Sequence, residues 1–419
     1  LLWSIALFPF LVLPFFPRSF DVTSYESALV EGFGFARLWA RGVNLLLFSW
    51  LLLLFLRALF KSSLRWYFLM PLFFLWLGAG ASMVFSIEPR LSPGHIIYLL
   101  ALSIVTLVTT KDDLDSLILT AKRISLLYIW GSLLVLLVMP SWALEVEYAR
   151  GYIPGFNIRL HGITVHANHT APFAWLFLVL EIVYPRQGKK AMRAAHILAA
   201  IVVLVLTQSK TTWLLMLLGL LLFIFLKSPK VLWFFLSVAA VSLGSIFLGQ
   251  LLTGGGVSAW SWLKERLFLE VPEEIFTLTG RVFIWETVML IVRENPLFGY
   301  GPNLWSPEMT LRYASWVGWT PAQSHNQYIQ SLGEGGIFGL SMFFGYITWV
   351  LFMSIRSLKV ARGLSFILFS GWLIRGFTET WFRKETMDGN MLIHAIILAI
   401  VLASFDMSRI LKRLNMTKK

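Results

Sequence analysis

Long apolar runs separated by short polar connections set the rhythm of this chain. A hydrocarbon core of about 30 Å takes about 20 mostly apolar residues in helical form. That ruler marks helices near 1–16, 43–60, 66–86, 95–110, 124–143, 169–184, 196–209, 212–226, 231–251, 334–355, 363–380 and 390–408. The pattern therefore predicts an all-α polytopic membrane protein of about 12 transmembrane helices, the pair 196–209 and 212–226 being the shortest.

Alternate connections test this count, because Lys and Arg gather on the cytoplasmic side of a membrane. The even-numbered connections and the C-terminal tail hold Arg57, Lys61 and Arg65; Lys111, Lys122 and Arg123; Arg186, Lys189, Lys190 and Arg193; Lys227 and Lys230; Arg356, Lys359 and Arg362; and Arg409, Lys412, Arg413, Lys418 and Lys419. Most acidic residues fall on the opposite side. Both termini are thus expected to be cytoplasmic, with the long connections 17–42, 144–168 and 252–333 facing out. The last is long enough for a helical loop domain, which divides the chain into spans one to nine at 1–251, a loop domain at 252–333, and the last three spans with the tail at 334–419. Its tryptophans, Trp305, Trp316 and Trp319 among them, favour a membrane interface, so this domain is expected to lie on the bilayer.

Composition strengthens the membrane reading. Apolar residues make up 58% and charged residues 14%, against about half and about a quarter in soluble domains. A net charge of +13 would suggest a nucleic-acid partner in a soluble protein, but here the basic residues follow the connections, and no nucleic acid is expected. With no cysteine, thiolate metal sites, disulfides and cysteine nucleophiles are excluded. The sequence starts on Leu rather than Met, and an N-terminal piece is expected to precede it.

Several polar clusters stand out against this apolar background. The stretch from Gln323 to Leu340 puts His325 and Asn326 at the mouth of an apolar helix, with Glu334 among glycines. A neutral imidazole there can take a proton from an attacking hydroxyl, with Glu334 as an orienting partner; it can equally be an interfacial histidine that hydrogen-bonds its loop. Thr279-Gly280-Arg281 opens a helix-like run reaching Arg293. Free N–H groups at a helix start and a guanidinium fork suit a phosphate, although ordinary capped surface helices look the same and are commoner. Lys210, between two apolar runs in Thr-Gln-Ser-Lys-Thr, is a charge that needs a partner, a ligand or a route to the interface.

Arg159, His161, His166, Asn168 and His169 crowd the approach to the sixth span. The three histidines lack the four-residue helical pair and the carboxylate of a hydrolytic zinc site, so no metal is expected, and Arg159 reads as an anion-binding residue. Arg266, Lys264, Arg312, Arg375 and Arg383 are further outward cations that can join it or meet lipid phosphates. The one dense acidic cluster, Asp112-Asp113-Leu114-Asp115, falls on the cytoplasmic side and suits a helix start, where acids meet the positive end of the helix dipole.

Thr-Gly-Arg-x-x-x-Trp at 279–285, Gly-Tyr-Gly at 299–301, His-Asn at 325–326 and Glu-Gly-Gly-Ile-Phe-Gly-Leu at 334–340, in this order, resemble the O-antigen ligase and polymerase superfamily. The resemblance implies a bacterial inner-membrane enzyme with a C-type glycosyltransferase fold and a periplasmic active site. It would move a glycan from an undecaprenyl-diphosphate carrier to a hydroxyl of the lipid A–core oligosaccharide, with no cofactor or metal. His325 would be the base or the residue orienting that hydroxyl; Arg281, Arg159, Lys210 and Arg266 would bind the diphosphate. Asn326, Glu334, Gln323, His166 and Asn168 would support them. Attack opposite the leaving group would invert the anomeric carbon. One departure is visible: family members often have arginine where Ser209-Lys210 stands, and lysine keeps the charge but not the fork. A polymerase with a carrier-linked acceptor and an oligosaccharyltransferase acting on protein hydroxyls share the same donor. From a different class, a transporter or flippase of an anionic carrier lipid also fits many spans with buried cations.

Overall fold

The computed structural model of the chain describes residues 69–108, 114–146, 155–164, 166–185, 188–228, 281–302, 304–313, 323–380 and 389–416, together with 51–57 and scattered single residues. The expected spans 1–16, 43–60 and 231–251 lie wholly or partly outside the described residues, as do residues 252–280 of the expected loop domain. Within the described residues the protein is almost entirely helical. Its elements are α1 (Met70–Phe85), α2 (Pro93–Val108), α3 (Leu114–Val138), the single turn α4 (Pro140–Ala143), β1 (Leu144–Val146), β2 (Ile158–Leu160), α5 (Ala167–Val183), α6 (Lys190–Leu206), α7 (Lys210–Lys227), α8 (Arg281–Glu294), α9 (Pro307–Tyr313), α10 (Gln327–Arg356), α11 (Leu364–Arg375) and α12 (Gly389–Met416). Helices dominate for a simple reason: in hydrocarbon the backbone must satisfy its own hydrogen bonds.

Among the described residues, four helices are long and apolar enough to cross a membrane: α3, α7, α10 and residues 389–410 of α12. Their surroundings differ sharply. The crossing segment of α12 is 89% buried inside the protein, with Met391 through Ala403 shielded along nearly their whole length. It is the central pillar. By contrast, α7 exposes Trp213, Leu214, Leu217 and Leu220, and α3 exposes Trp130, Leu134 and Leu137. A continuous exposed apolar face of this kind belongs against lipid. In the pillar, His394 is hydrogen-bonded on one ring nitrogen to Tyr98 of α2 at 3.0 Å and on the other to Tyr346 of α10, which pins three helices at one level.

The bundle has two chemically distinct ends. At one, Lys122 of α3 meets Glu181 of α5 at 2.6 Å, Glu181 meets Arg193 of α6 at 2.7 Å, and Arg362 lies over the Tyr184 ring. The connections that gather here are those grouped together above by their basic residues. Asp115 in the first turn of α3 fits the expected helix start. The other end carries the two-stranded sheet, in which Glu145 of β1 pairs in register with Arg159 of β2.

Helix bounds differ from expectation at several places, α3 starting ten residues before its expected span and α6 six, and two differences bear on the site. The expected break between loop domain and membrane at 333/334 falls inside α10, which already starts at Gln327. The expected span 363–380 stops as a helix at Arg375. Both differences arise at glycines. In α10, Gly336 has φ 61° and breaks the helix without ending it; at Gly376 the chain leaves α11 and forms a short polar loop.

The break in α10 explains two of the sequence motifs together. A broken helix leaves carbonyl and N–H groups without intrahelical partners. Here the 295–301 segment supplies them: Tyr300 N donates to Gly333 O and Gly301 N to Glu334 O, while Ile337 N and Phe338 N donate to Pro296 O and Leu297 O. The backbones approach so closely that a Cβ on Gly336 would lie 2.4 Å from the Leu297 carbonyl, and one on Gly299 2.5 Å from Gly333 O. Gly-Tyr-Gly and Glu-Gly-Gly are thus two sides of one backbone junction. A third strand of chain joins it, since Ile87 N and Glu88 N, just past α1, donate to Gly299 O and Tyr300 O.

Candidate functional site

The site lies at the end of the bundle that carries the sheet, and its hub is the loop that follows α11. Every residue of Gly376–Glu379 is gripped from outside the loop, the first two by the start of α10 and the others by α8, α7 and α5. Gly376 O accepts from Gln327 N at 2.7 Å, and Phe377 O accepts from Asn326 Nδ2 at 3.4 Å. Thr378 O accepts from Arg281 Nη1 at 3.0 Å, and Thr378 Oγ1 accepts from Thr211 Oγ1 at 3.0 Å. The carboxylate of Glu379 receives Asn168 Nδ2 on Oε1 at 2.5 Å, with Arg281 Nη2 4.0 Å from the same oxygen. Its other oxygen, Oε2, faces His325 Nδ1 at 3.8 Å.

His325 sits just before α10 in a left-handed backbone conformation, φ 47°, which is uncommon and mildly costly for a residue with a side chain. Local capping and a hydrogen bond from α8 fix the turn. Asn326 is the N-cap of α10, its Oδ1 accepting from Tyr328 N and Ile329 N at 2.9 and 3.1 Å, the usual use of Asn at that position. Ser324 O accepts from Trp285 Nε1 at 2.9 Å. Trp285 stands one turn after Arg281 on α8, and residues four apart share a helix face. The Arg-x-x-x-Trp spacing therefore lets one face of α8 hold both the 324 loop and the 378 loop. The His325 side chain is 35% exposed while its Nδ1 is buried, so the open edge of the ring is the one carrying Nε2.

Arg159 approaches from the sheet and is largely enclosed. Its Nε donates to Thr207 O at 3.0 Å, its Nη2 donates to Asn168 Oδ1 at 2.7 Å, and the guanidinium stacks over Tyr148. Thr207 is the C-cap of α6, where carbonyls lack helical partners and cations are favoured. The Thr-Gln-Ser-Lys corner is fixed by Gln208, which has φ 47° and donates through Nε2 to Phe156 O and Ile158 O. Lys210 follows as the first residue of α7 and is exposed. Next to it, Thr211 reaches the hub.

Arg375 is the site's fully buried cation, donating through Nη1 to Asn390 Oδ1 at 2.7 Å and through Nη2 to Asn168 O at 2.6 Å. That carbonyl is open because residue 172, four positions on in α5, is proline and has no N–H to give it. One proline thus creates the acceptor that locks α11 to α5.

Charge in the site is balanced asymmetrically. Burial opposes ionisation of Glu379, but His325, Arg375 and Arg281 outweigh it and hold its carboxyl down at about 2. Burial, with Arg159 and His169 adding to it, keeps the His166 imidazole well below its ordinary value. His166 is the N-cap of α5, its Nδ1 accepting from Asn168 N at 3.1 Å. Burial also raises the Glu145 carboxyl against the opposing pull of Arg159, 3.8 Å away.

The sequence-derived residues separate into three groups. The structure brings His325, Asn326, Arg281, Arg159 and Asn168 together around the hub, with His166 at its back and Lys210 at its rim. Gln323 precedes the turn and is partly buried. Arg266, Lys264 and Arg383 lie outside the described residues, and Arg312 is engaged by Glu294. Glu334 is placed elsewhere: its Oε1 accepts from Gln330 Nε2 at 2.8 Å, its Oε2 faces His95 at 3.6 Å, and its carbonyl receives Ser82 Oγ. The acid facing the imidazole is Glu379, because eight residues of helix, Gln327 to Glu334, carry Glu334 away from His325 and toward α1. The sequence pattern does not single out Glu379, because it falls at the end of the apolar stretch 363–380. Its signal was present, since an acid and an arginine inside one span mark a polar site.

A family model described as O-antigen ligase matches residues 195–344, from α6 to the middle of α10. This covers Lys210, Arg281 and His325 but stops short of Arg375 and Glu379. No curated protein matches the chain.

Proposed function

We propose that this membrane protein, which belongs through residues 195–344 to the O-antigen ligase family, transfers a glycan from undecaprenyl diphosphate to a hydroxyl of lipid A–core. On this reading the reaction runs on the periplasmic face of a bacterial inner membrane, in a twelve-span C-type glycosyltransferase fold with both termini in the cytoplasm. The observation that carries the reading is the meeting of an imidazole with an open edge and several guanidinium groups at one end of the bundle, drawn from segments far apart in sequence.

In this mechanism His325 Nε2 accepts the proton of the acceptor hydroxyl, because Nδ1 is turned inward to Glu379. The freed oxygen attacks the anomeric carbon from the face opposite the diphosphate. The bond between that carbon and the phosphate oxygen breaks, and the electron pair leaves with undecaprenyl diphosphate. Inversion follows from the geometry of attack. Charge developing on the leaving diphosphate is met by fixed cations, which need no reorganisation at the moment of reaction. Arg281, 22% exposed, and Lys210 at the rim present the accessible charge. Arg159, with Nε and Nη2 already bonded, adds its field from behind Asn168.

The test is direct. Purified protein is given carrier-linked glycan with lipid A–core, with carrier glycan alone, or with a protein acceptor, and product formation and anomeric configuration are measured. The reading expects product with lipid A–core, inverted at the anomeric carbon and formed about 10²-fold or more slowly by His325→Ala, with carrier-diphosphate binding intact. Retention of configuration, or full activity of His325→Ala, defeats it. Product formed only with the second or third acceptor makes the protein a polymerase or a protein oligosaccharyltransferase.

A further inference from the structure

We infer that Glu379 is the positioning residue for His325, and that Asn168 holds Glu379 to this task by tying it to Arg159. The inference rests on the reading of His325 as the base and adds residues that lie outside the matched family segment. Its basis is one continuous line of polar contacts. Arg159 Nη2 donates to Asn168 Oδ1 at 2.7 Å, Asn168 Nδ2 donates to Glu379 Oε1 at 2.5 Å, and Glu379 Oε2 stands 3.8 Å from His325 Nδ1.

Chemistry leaves the line only one polarity. A guanidinium only donates and a carboxylate only accepts, so the Asn168 amide must present its oxygen to Arg159 and its NH2 to Glu379. With Oε1 engaged, Oε2 is the oxygen left for the imidazole. Because that oxygen accepts, the neutral ring carries its proton on Nδ1 and offers the lone pair of Nε2 to the open edge. The 3.8 Å gap is longer than a hydrogen bond. Such contacts often tighten when substrate loads.

Two alternative roles for Glu379 fit less well. As a substrate ligand it would need access, yet it is 4% exposed, and its negative charge would repel a diphosphate. As a simple structural counter-ion it would need only a cation, yet Arg281 stands at Oε1, 4.0 Å away, while Oε2 faces the ring. Other titratable groups facing this cluster are His166 on the α5 side and Glu145 beside Arg159.

The experiment compares full-length Glu379→Gln, Asn168→Ala, Asn168→Asp and His325→Ala in lipid nanodiscs. Initial rates are measured against donor concentration, and binding of undecaprenyl diphosphate reports both folding and the cation site. Glu379→Gln keeps the shape and offers Nδ1 a weaker, uncharged acceptor. The expected result is a fall in kcat on the order of 10²-fold or more, with KM and carrier affinity within about threefold of the parent protein, roughly 0.7 kcal/mol in binding. Asn168→Ala should fall in the same direction by a smaller factor. Asn168→Asp sets two carboxylates against each other; they share a proton, which disables Glu379 until the pH rises far enough to remove it. Its kcat should therefore climb with pH through a titration that Asn168→Ala does not show. A kcat within twofold of the parent in Glu379→Gln overturns the proposal, as does a kcat loss matched by an equal loss of carrier affinity. Activity in His325→Ala would instead remove the reading on which it stands, so the two failures are separable.

Discussion

The first turns of α10 contain two polar regions a few residues apart, and they behave in opposite ways. At the break, the polar groups of Gln330 and Glu334 are bonded to one another and to Trp305, Ser324, Ser82 and the 295–301 backbone. At the entry, Asn326 caps the helix and the hub loop grips the turn, but His325 keeps an open edge above a buried carboxylate. The break joins backbone to backbone. The entry presents chemistry to the outside. Density of polar residues and glycines is the same signal in both, and only the direction of the open side chain separates a junction from a site.

The largest effect that can break this contrast is on chemistry at the entry. His325→Ala should reduce glycan transfer about 10²–10⁴-fold, the range of a lost general base, while leaving the thermal midpoint within a few degrees, because the imidazole makes no hydrogen bond through Nδ1. A large drop in stability together with activity would make His325 part of the junction instead.

The converse substitution is at the break. Gly336→Ala puts a side chain at φ 61° and a Cβ 2.4 Å from the Leu297 backbone, where neither partner can yield without disrupting the junction. A loss of about 2–3 kcal/mol is expected, read as a lower unfolding temperature in detergent, while the folded fraction should retain its specific activity. Specific activity falling as far as stability would show that the break shapes the catalytic turn.

How much of this was legible in the sequence follows from the same contrast. The helices were, because hydropathy over 20 residues is insensitive to tertiary detail: nine expected spans correspond to helices among the described residues, four of them long and apolar enough to cross a membrane. The motif residues Arg281, His325 and Asn326 come together around the 376–379 loop. Helix ends were harder: a glycine that breaks a helix and one that ends it look alike, so α10 was expected to start at the glycines it merely kinks through. Partnership was hardest. Glu334 lies near His325 in sequence, whereas Glu379 is brought to it by the return of α11, and no local spacing encodes that return. Pro172 gives a similar lesson. Its purpose, freeing the Asn168 carbonyl for Arg375, requires knowing where Arg375 arrives.

A more moderate effect is expected at the cation that serves both loop and ligand. Arg281→Ala should weaken undecaprenyl-diphosphate binding about tenfold, the scale of one charge-assisted contact at roughly 1.4 kcal/mol. Arg281→Lys should fall between, since it keeps charge without the fork that reaches Thr378 O and Glu379 together. Unchanged affinity in Arg281→Ala would leave Arg281 as a loop clamp only.

The smallest expected effect sharpens the contrast most, because it tests the acid that sequence proximity favours. Glu334→Gln preserves size, and its amide oxygen can still accept from Gln330 Nε2, now 2.8 Å from Glu334 Oε1. What it removes is the charge facing His95 at 3.6 Å. Replacing one member of a buried polar pair by its neutral isostere removes little when the hydrogen bond survives, so the change in stability should be under about 1 kcal/mol. Transfer activity should stay within about twofold, roughly 0.4 kcal/mol in the barrier, because the carboxylate that faces the imidazole is on the other side of the turn. If Glu334→Gln instead matched the loss in His325→Ala, the break and the entry would be one catalytic unit, and the division drawn between them along α10 would be wrong.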